Sequence, residues 1–257
     1  MFFRNVSRMP DFGKSIRHPT NTPKRFKAID NMITKMHQRW WAFKVLSQYP
    51  RESWPEMHLK ITALELLRGK RAQWGIERRW KGDYLNDTSK NPMVELYRAA
   101  LTKAGINQKS VVFSAEVKKF NRHNKMEERG LVITKDYILK LELGKKIKVA
   151  VNLPLASITK LSISPEARNQ VLVMSFNAKG QNDFVMSFVD NEDLIGELIG
   201  TLSSIYQKKM GRNLEIYTSN ILTAQTGKNY KTISVSGPSG PNSTFFANKD
   251  GTITYSG

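Results

Sequence analysis

Cysteine is absent from all 257 residues, so the chain can form no disulfide, thiolate zinc site or cysteine nucleophile, and a reducing compartment is the natural setting. Acid is scarce: 22 Asp and Glu against 41 Lys and Arg leave a formal charge of +19. Self-repulsion of that size favours a polyanionic partner, which is nucleic acid, an anionic membrane or an acidic protein. Nowhere do about 18 apolar residues run together, which argues against a membrane-spanning helix. Met1 to Met9 carries Arg4 and Arg8 with no apolar run behind them, so no signal peptide is expected. The four histidines, His18, His37, His58 and His123, lack ligand spacing, and no serine sits in a nucleophile elbow. Gly13-Lys14-Ser15 imitates the end of a phosphate loop, yet Arg8 stands where the first glycine belongs and no strand precedes it. Neither a catalytic constellation nor a metal site is expected.

What is present suffices to fold. An apolar fraction of 40% with five Trp and twelve Phe can bury a core, in one large domain or two small ones. The basic excess is front-loaded, with ten basic and two acidic residues in the first fifty. Residues 24 to 103 read as helices, broken at Pro50, Pro55 and Pro92. From residue 108 the period changes. Val111 to Phe120, Gly130 to Thr134, Tyr137 to Leu143, Lys148 to Leu153, Ile158 to Ile163, Gln170 to Ser175 and Asp183 to Phe188 are short apolar or alternating runs between turns. Asn191 to Met210 returns to helical spacing, with Leu194, Ile195, Leu198, Ile199, Leu202 and Ile205 on one side, Asn191 as candidate N-cap and Gly211 as the stop. Seven antiparallel strands closed by one amphipathic helix are the plan of a pleckstrin-homology-like barrel. Strand-like pieces follow at Leu214 to Thr218 and Thr232 to Ser236, then a loop over Ser236 to Pro241. A hairpin of Thr244 to Ala247 and Thr252 to Tyr255 ends the chain. The expected class is α+β.

Two segments carry chemistry. Ile29, Ile33, Met36, Trp40 and Phe43 fall on one helical stripe, with Lys27, Lys35, Arg39 and Lys44 on the other faces. That pattern suits either a helix packed on its own domain or one held in an acidic, Met-lined groove such as calmodulin's. The adjacent Trp40 and Trp41 lie about 100° apart on a helix, so one of them faces away from the first partner. The second segment, Lys118 to Arg129, reads as a basic hairpin in which Lys119 and Arg129 approach across the ladder. With Lys118, Arg122 and Lys125 it suits a phosphorylated headgroup, or it is a solvated loop of mixed charge. A further basic cluster, Arg68, Lys70, Arg71, Arg78, Arg79 and Lys81, is placed along the bracing helix, facing solvent or membrane.

The order of several motifs resembles the tail of a class I myosin of the short-tailed D type. They are Asp11-Phe12-Gly13-Lys14, Pro19 to Arg25, the IQ-like Ile33 to Trp40, Ala63 to Ala72, Trp80 to Leu85, Val117 to Arg122 and Ile195 to Gly200. The resemblance implies a neck segment over 1–50, bracing helices over 51–107 and a tail homology 1 core over 108–257. That core holds the barrel at 108–210 and the C-terminal strands at 211–257. It implies a calmodulin-like light chain on Ile29, Ile33, Met36, Arg39, Trp40, Phe43 and Lys44, and phosphoinositide or other anionic lipid on the hairpin. It implies no catalysis and no cofactor in this chain: calcium would act only through calmodulin, and ATP with Mg2+ and actin only through a motor domain upstream. Location would be cytoplasmic, peripheral at the plasma membrane, actin cortex and vesicles. Two places depart from the family pattern. Ile33-Thr34 and Gln38-Arg39 stand for Ile-Gln and Arg-Gly, and Glu127 holds the middle cation position of the lipid motif. The rivals are a nucleic-acid binder, which is not expected because the hairpin lacks exposed aromatics beyond Phe120, and a protein scaffold.

Overall fold

A computed structural model describes residues 24–71, 75–89, 91–121, 123–166, 170–188, 192–227, 229–237 and 243–256. Asn191, Arg122, residues 11–23, Ala72 and residues 238–241, all named above, lie outside the described residues. The chain forms two compact units, Met1–Met57 and His58–Gly257. In the first, helix α1 runs over Lys24–Leu46 and Trp54 Nε1 donates to Tyr49 O at 3.3 Å. Helix α2 spans Trp54–Leu67 and ends where Gly69 takes a φ of +71°, a value that a side chain would strain.

Among its described residues the second unit contains α3 (Val94–Lys103), α4 (Ile195–Met210) and twelve strands. These are β1 (Val111–Phe120), β2 (Met126–Thr134), β3 (Tyr137–Glu142), β4 (Lys148–Pro154), β5 (Ile158–Ile163), β6 (Val171–Phe176) and β7 (Phe184–Phe188). After α4 come β8 (Glu215–Thr218), β9 (Ile221–Thr226), β10 (Asn229–Val235), β11 (Thr244–Ala247) and β12 (Ile253–Ser256). The expected seven-strand meander is present and α4 follows it. Among the described residues its ladder runs β4-β3-β2-β1-β7-β6-β5-β8, ending at β4, and β5 pairs in parallel with β8. The remaining strands form a separate sheet, β11-β12-β10-β9, whose β10 and β12 are parallel.

Three apolar clusters explain why the meander reads as near-continuous hydrophobic runs. On one face Phe113, Val117, Leu131 and Ile138 join Ala63 and Leu67 of α2 and Leu198 and Leu202 of α4. On the other, Phe120, Val171 and Val185 meet Leu222, Ile233 and Tyr255 of the small sheet. Leu139 and Leu141 meet Tyr97 and Leu101 of α3. Both faces of β1 to β3 are therefore covered, and each fully buried Leu or Phe there contributes roughly 1.5–3 kcal/mol. Helix α4 starts at Ile195, later than the expected Asn191, with Leu194 at the cap position. Gly200 sits where α4 crosses α2, since a Cβ there would lie 2.4 Å from Leu59 O.

Candidate anion-binding site

The hairpin of β1 and β2 turns at Asn121 to Lys125, where Asn121 Oδ1 accepts from the backbone N–H groups of His123 and Lys125 and Asn124 takes a φ of 60°. Lys119 lies opposite Glu127, and Val117 opposite Arg129. On the next ladder Arg129 lies opposite Glu142, and Leu131 opposite Lys140. Strand alternation therefore gathers Lys119, Glu127, Arg129, Lys140 and Glu142 on the face that continues into the core beside Val117, Leu131 and Ile138.

The ring of Phe184 on β7 lies beneath this mouth. Lys119 Nζ stands 5.4 Å and Lys140 Nζ 5.9 Å from its centroid, within cation–π range. Arg129 Nη2 donates to Glu127 Oε2 at 2.7 Å and Nη1 to Glu128 O at 2.9 Å. Its Nε is buried and has no hydrogen-bond partner among the described residues. Burial, then the fields of Lys140 and Arg129, push the Lys119 ammonium down to about 8, with Glu127 opposing. Burial and Arg129 also lower Lys140, against Glu142 and Glu127. Three cations held together against two carboxylates, with a donor left over, make a place where an anion relieves both repulsion and desolvation.

Not all of the hairpin's basic residues share that mouth. Lys118, one residue out of phase with Lys119, donates through Nζ to Ser243 O at 3.2 Å, beside the small sheet. Lys125 is exposed in the turn. An open cleft of about 430 Å³ is lined by Lys118, Met126, Glu127, Glu128, Arg129 and Leu143. Lys140 and Phe184 escaped the reading of the sequence, although a lysine at the core-facing phase of Tyr137 to Glu142 was a visible signal.

The second basic cluster does not exist as one surface. It lies beyond α2 rather than along it, and burial separates its members. Arg71 is buried and donates to Ser164 O at 2.5 Å and Asp193 Oδ2 at 3.0 Å. Burial lowers that guanidinium and raises the Asp193 carboxyl, and their mutual attraction opposes both shifts. Arg78 Nη1 lies 2.7 Å from Glu197 Oε2, a carboxylate on α4 that also accepts from Tyr84 Oη at 2.6 Å and Gly82 N at 2.7 Å. Lys81 pairs with Asp87 at 2.7 Å. Arg68, Lys70 and Arg79 are exposed. Arg71 and Arg78 are ties between the segment before β1 and the start of α4, because an unpaired buried charge costs more than a paired one.

On α1 the five stripe residues Ile29, Ile33, Met36, Trp40 and Phe43 are all exposed, between 49% and 66%. Arg39 and Lys44 are exposed too, and Lys44 Nζ stands 5.2 Å from the Trp40 ring centroid. Trp41 is half-buried. Among the described residues no helix is long and apolar enough to cross a membrane.

Residues 71–256 match the myosin TH1 family, described as "Unconventional myosin tail, actin- and lipid-binding". The chain is 32% identical over 266 residues to unconventional myosin ID of Drosophila melanogaster, covering 98% of this chain and 26% of that protein. It is 32% identical over 224 residues to unconventional myosin-Id of Danio rerio, covering 84% and 22%. To unconventional myosin-Ig of Mus musculus it is 31% identical over 231 residues, covering 86% and 22%. The chain thus spans about a quarter of the length of these relatives. Solved structures that resemble it include the hSac2 domain from human phosphoinositide phosphatase Sac2, with a TM-score of 0.41 and 13% identity over 54% of this chain and 94% of that one. Another is the Slm1-PH domain in complex with inositol-4-phosphate, with a TM-score of 0.32 and 10% identity over 37% and 96%.

Proposed function

The chain belongs to the unconventional myosin tail family, whose description is actin- and lipid-binding, and from that premise we propose that its lipid contact is the mouth formed by Lys119, Arg129 and Lys140, taking a phosphorylated inositol headgroup. The observation that carries this reading is the convergence of three cations from three strands on one face, Lys119 and Lys140 over the Phe184 ring and Arg129 beside them with its Nε left unpartnered among the described residues. Exposed cations such as Arg68, Lys70, Arg79 and Lys125 add about 1 kcal/mol each when held near an anionic surface. Docking is peripheral, and strong dependence on salt follows. The family description assigns actin binding to the tail itself, which widens the expectation that actin is met only by a motor domain.

The exposed stripe of α1 supports a second contact, with a calmodulin-like light chain. Its acidic, Met-lined groove would take Ile33, Met36, Trp40 and Phe43 while Arg39 and Lys44 meet carboxylates at the rim. In the whole protein the tail would hold an actin-based motor to membrane. A nucleic-acid role is disfavoured because the aromatic ring at the mouth, Phe184, is 1% exposed and offers no stacking surface.

The test is vesicle co-sedimentation of the chain purified with calmodulin, at physiological salt, on neutral, phosphatidylserine and phosphatidylinositol 4,5-bisphosphate vesicles. Loss of the bisphosphate-dependent part in Lys119→Ala with Arg129→Ala supports the mouth. Binding that tracks total vesicle charge and survives the change refutes it. For α1, Trp40→Ala with Phe43→Ala should weaken calmodulin binding in calcium or in chelator, and unaltered affinity in both removes the light-chain reading.

A further inference from the structure

We propose that Glu127 is a built-in counter-anion of the mouth, whose carboxylate occupies the place a phosphate monoester takes and must leave Arg129 for that phosphate to bind. The inference rests on the headgroup reading above. Glu127 lies opposite Lys119 in the β1–β2 register and its Oε2 accepts from Arg129 Nη2 at 2.7 Å. It is thus the carboxylate bonded to the guanidinium of the mouth. Its side chain is 37% exposed against 18% for Arg129, so Glu127 can swing into water while the guanidinium stays in place.

The substitution of one anion for another is chemically unequal. Glu127 engages Nη2, the Glu128 carbonyl engages Nη1, and Nε is buried without a partner among the described residues. A phosphate monoester has three acceptor oxygens and carries about −1.5 to −2 charge at pH 7, so it can take Nε as well as Nη2 and still reach an ammonium. Among the described residues, the charged groups facing Glu127 are Lys119 from β1, Arg129 beside it on β2, and Lys140 with Glu142 from β3. Glu142 is itself opposite Lys148 of β4. β7 contributes the uncharged Phe184 ring. With Glu127 in place, two carboxylates meet the three cations of the mouth; with it displaced, one does, and the incoming monoester replaces its single charge with a larger one.

The experiment uses the full chain and three probes: vesicles with phosphatidylinositol 4,5-bisphosphate, phosphatidylserine vesicles of equal surface charge, and soluble inositol 1,4,5-trisphosphate. Glu127→Gln keeps the shape and removes the charge. Affinity for the bisphosphate vesicles and for the soluble headgroup should rise about tenfold, the scale of one lost like charge at a partly exposed site. Phosphatidylserine binding should change by less than about twofold, as should all three arms in the charge-matched Glu166→Gln, at an exposed position after β5. Glu127→Ala should reproduce the gain, with thermal melting used to verify the fold of each variant. An equal rise on both kinds of vesicle overturns the proposal, because net charge then suffices. So does a rise on vesicles without one for the soluble headgroup, because the phosphate is then not the displacing group. If Glu127→Gln changes nothing while Lys119→Ala with Arg129→Ala abolishes the bisphosphate arm, the counter-anion falls and the mouth stands. If the double variant also changes nothing, the mouth falls.

Discussion

Around Arg71 and Arg78, guanidinium groups end on the carboxylates of Asp193 and Glu197, inside the joint between the segment before β1 and the start of α4. Around Lys119, Arg129 and Lys140, Arg129 ends on Glu127 while the two ammonium groups lie in one another's field and that of Arg129, with fewer carboxylates than cations and an aromatic ring beneath. Both regions are basic in the sequence and both are largely buried. The first pairs its guanidinium groups with acids of the fold, whereas the second holds three cations against two carboxylates. The difference lies in pairing and not in residue type.

Removing one partner should break this contrast most visibly. Arg78→Ala leaves Glu197, whose side chain is 1% exposed, without its guanidinium. A loss of about 3–5 kcal/mol in stability by urea titration is expected, with vesicle binding of the folded protein little changed. A loss confined to vesicle binding would put Arg78 among the lipid contacts instead.

The next effect is a pH dependence confined to the mouth. Lys119 is charged at pH 7 and, with its ammonium pushed down to about 8 by burial, loses that charge as pH rises through 8. A bound phosphate favours the charged form. Above pH 8 binding therefore takes up a proton, and bisphosphate-dependent affinity should fall up to about tenfold per pH unit. Among the described residues, the charged groups facing Lys119 are Glu127, Arg129 and Lys140. Lys119→Arg should flatten the fall between pH 7 and 9, and an equally steep fall in that variant would sink the assignment. The same shift acts on stability in the opposite direction. Between about 8 and the ordinary lysine value of 10.5 the unfolded chain holds the proton and the folded one does not, so this group favours folding more as pH rises.

Lys140→Ala sharpens the comparison further, since Lys140 belongs to the mouth by position alone. A loss of about fivefold in bisphosphate binding is expected by co-sedimentation, the equivalent of about 1 kcal/mol for one cation at an anionic surface. The smallest effect belongs to Arg68→Ala, an exposed cation outside the mouth. A drop of about twofold or less is expected there, equal on phosphatidylserine and bisphosphate vesicles and vanishing at high salt.

Much of the architecture was legible because period and turn chemistry are local. β1, β5 and β11 fall on the residues that alternation marks, and α4 keeps its stripe and its Gly211 stop, where φ is 68°. The site was half legible. Lys119 and Arg129 share a face because their strands pair in the expected hairpin. Lys118, by the same alternation, points to a different neighbour. β9 escaped notice because Ile221 to Thr226 is a polar strand with Leu222 and Ala224 as its buried apolar anchors.

By itself, then, the sequence determined the order of helices and strands, the large positive charge, the apolar stripe of α1 and the hairpin that brings Lys119 to Arg129. These depend on neighbours within a turn or a ladder, where spacing dictates contact. Tertiary structure alone decided that Lys140 and Phe184 complete the mouth, that Arg71 and Arg78 are neutralised by acids more than a hundred residues away, and that β5 pairs with β8 instead of closing on β4. Which charge is paired is a property of distances across the fold, and no local pattern encodes them.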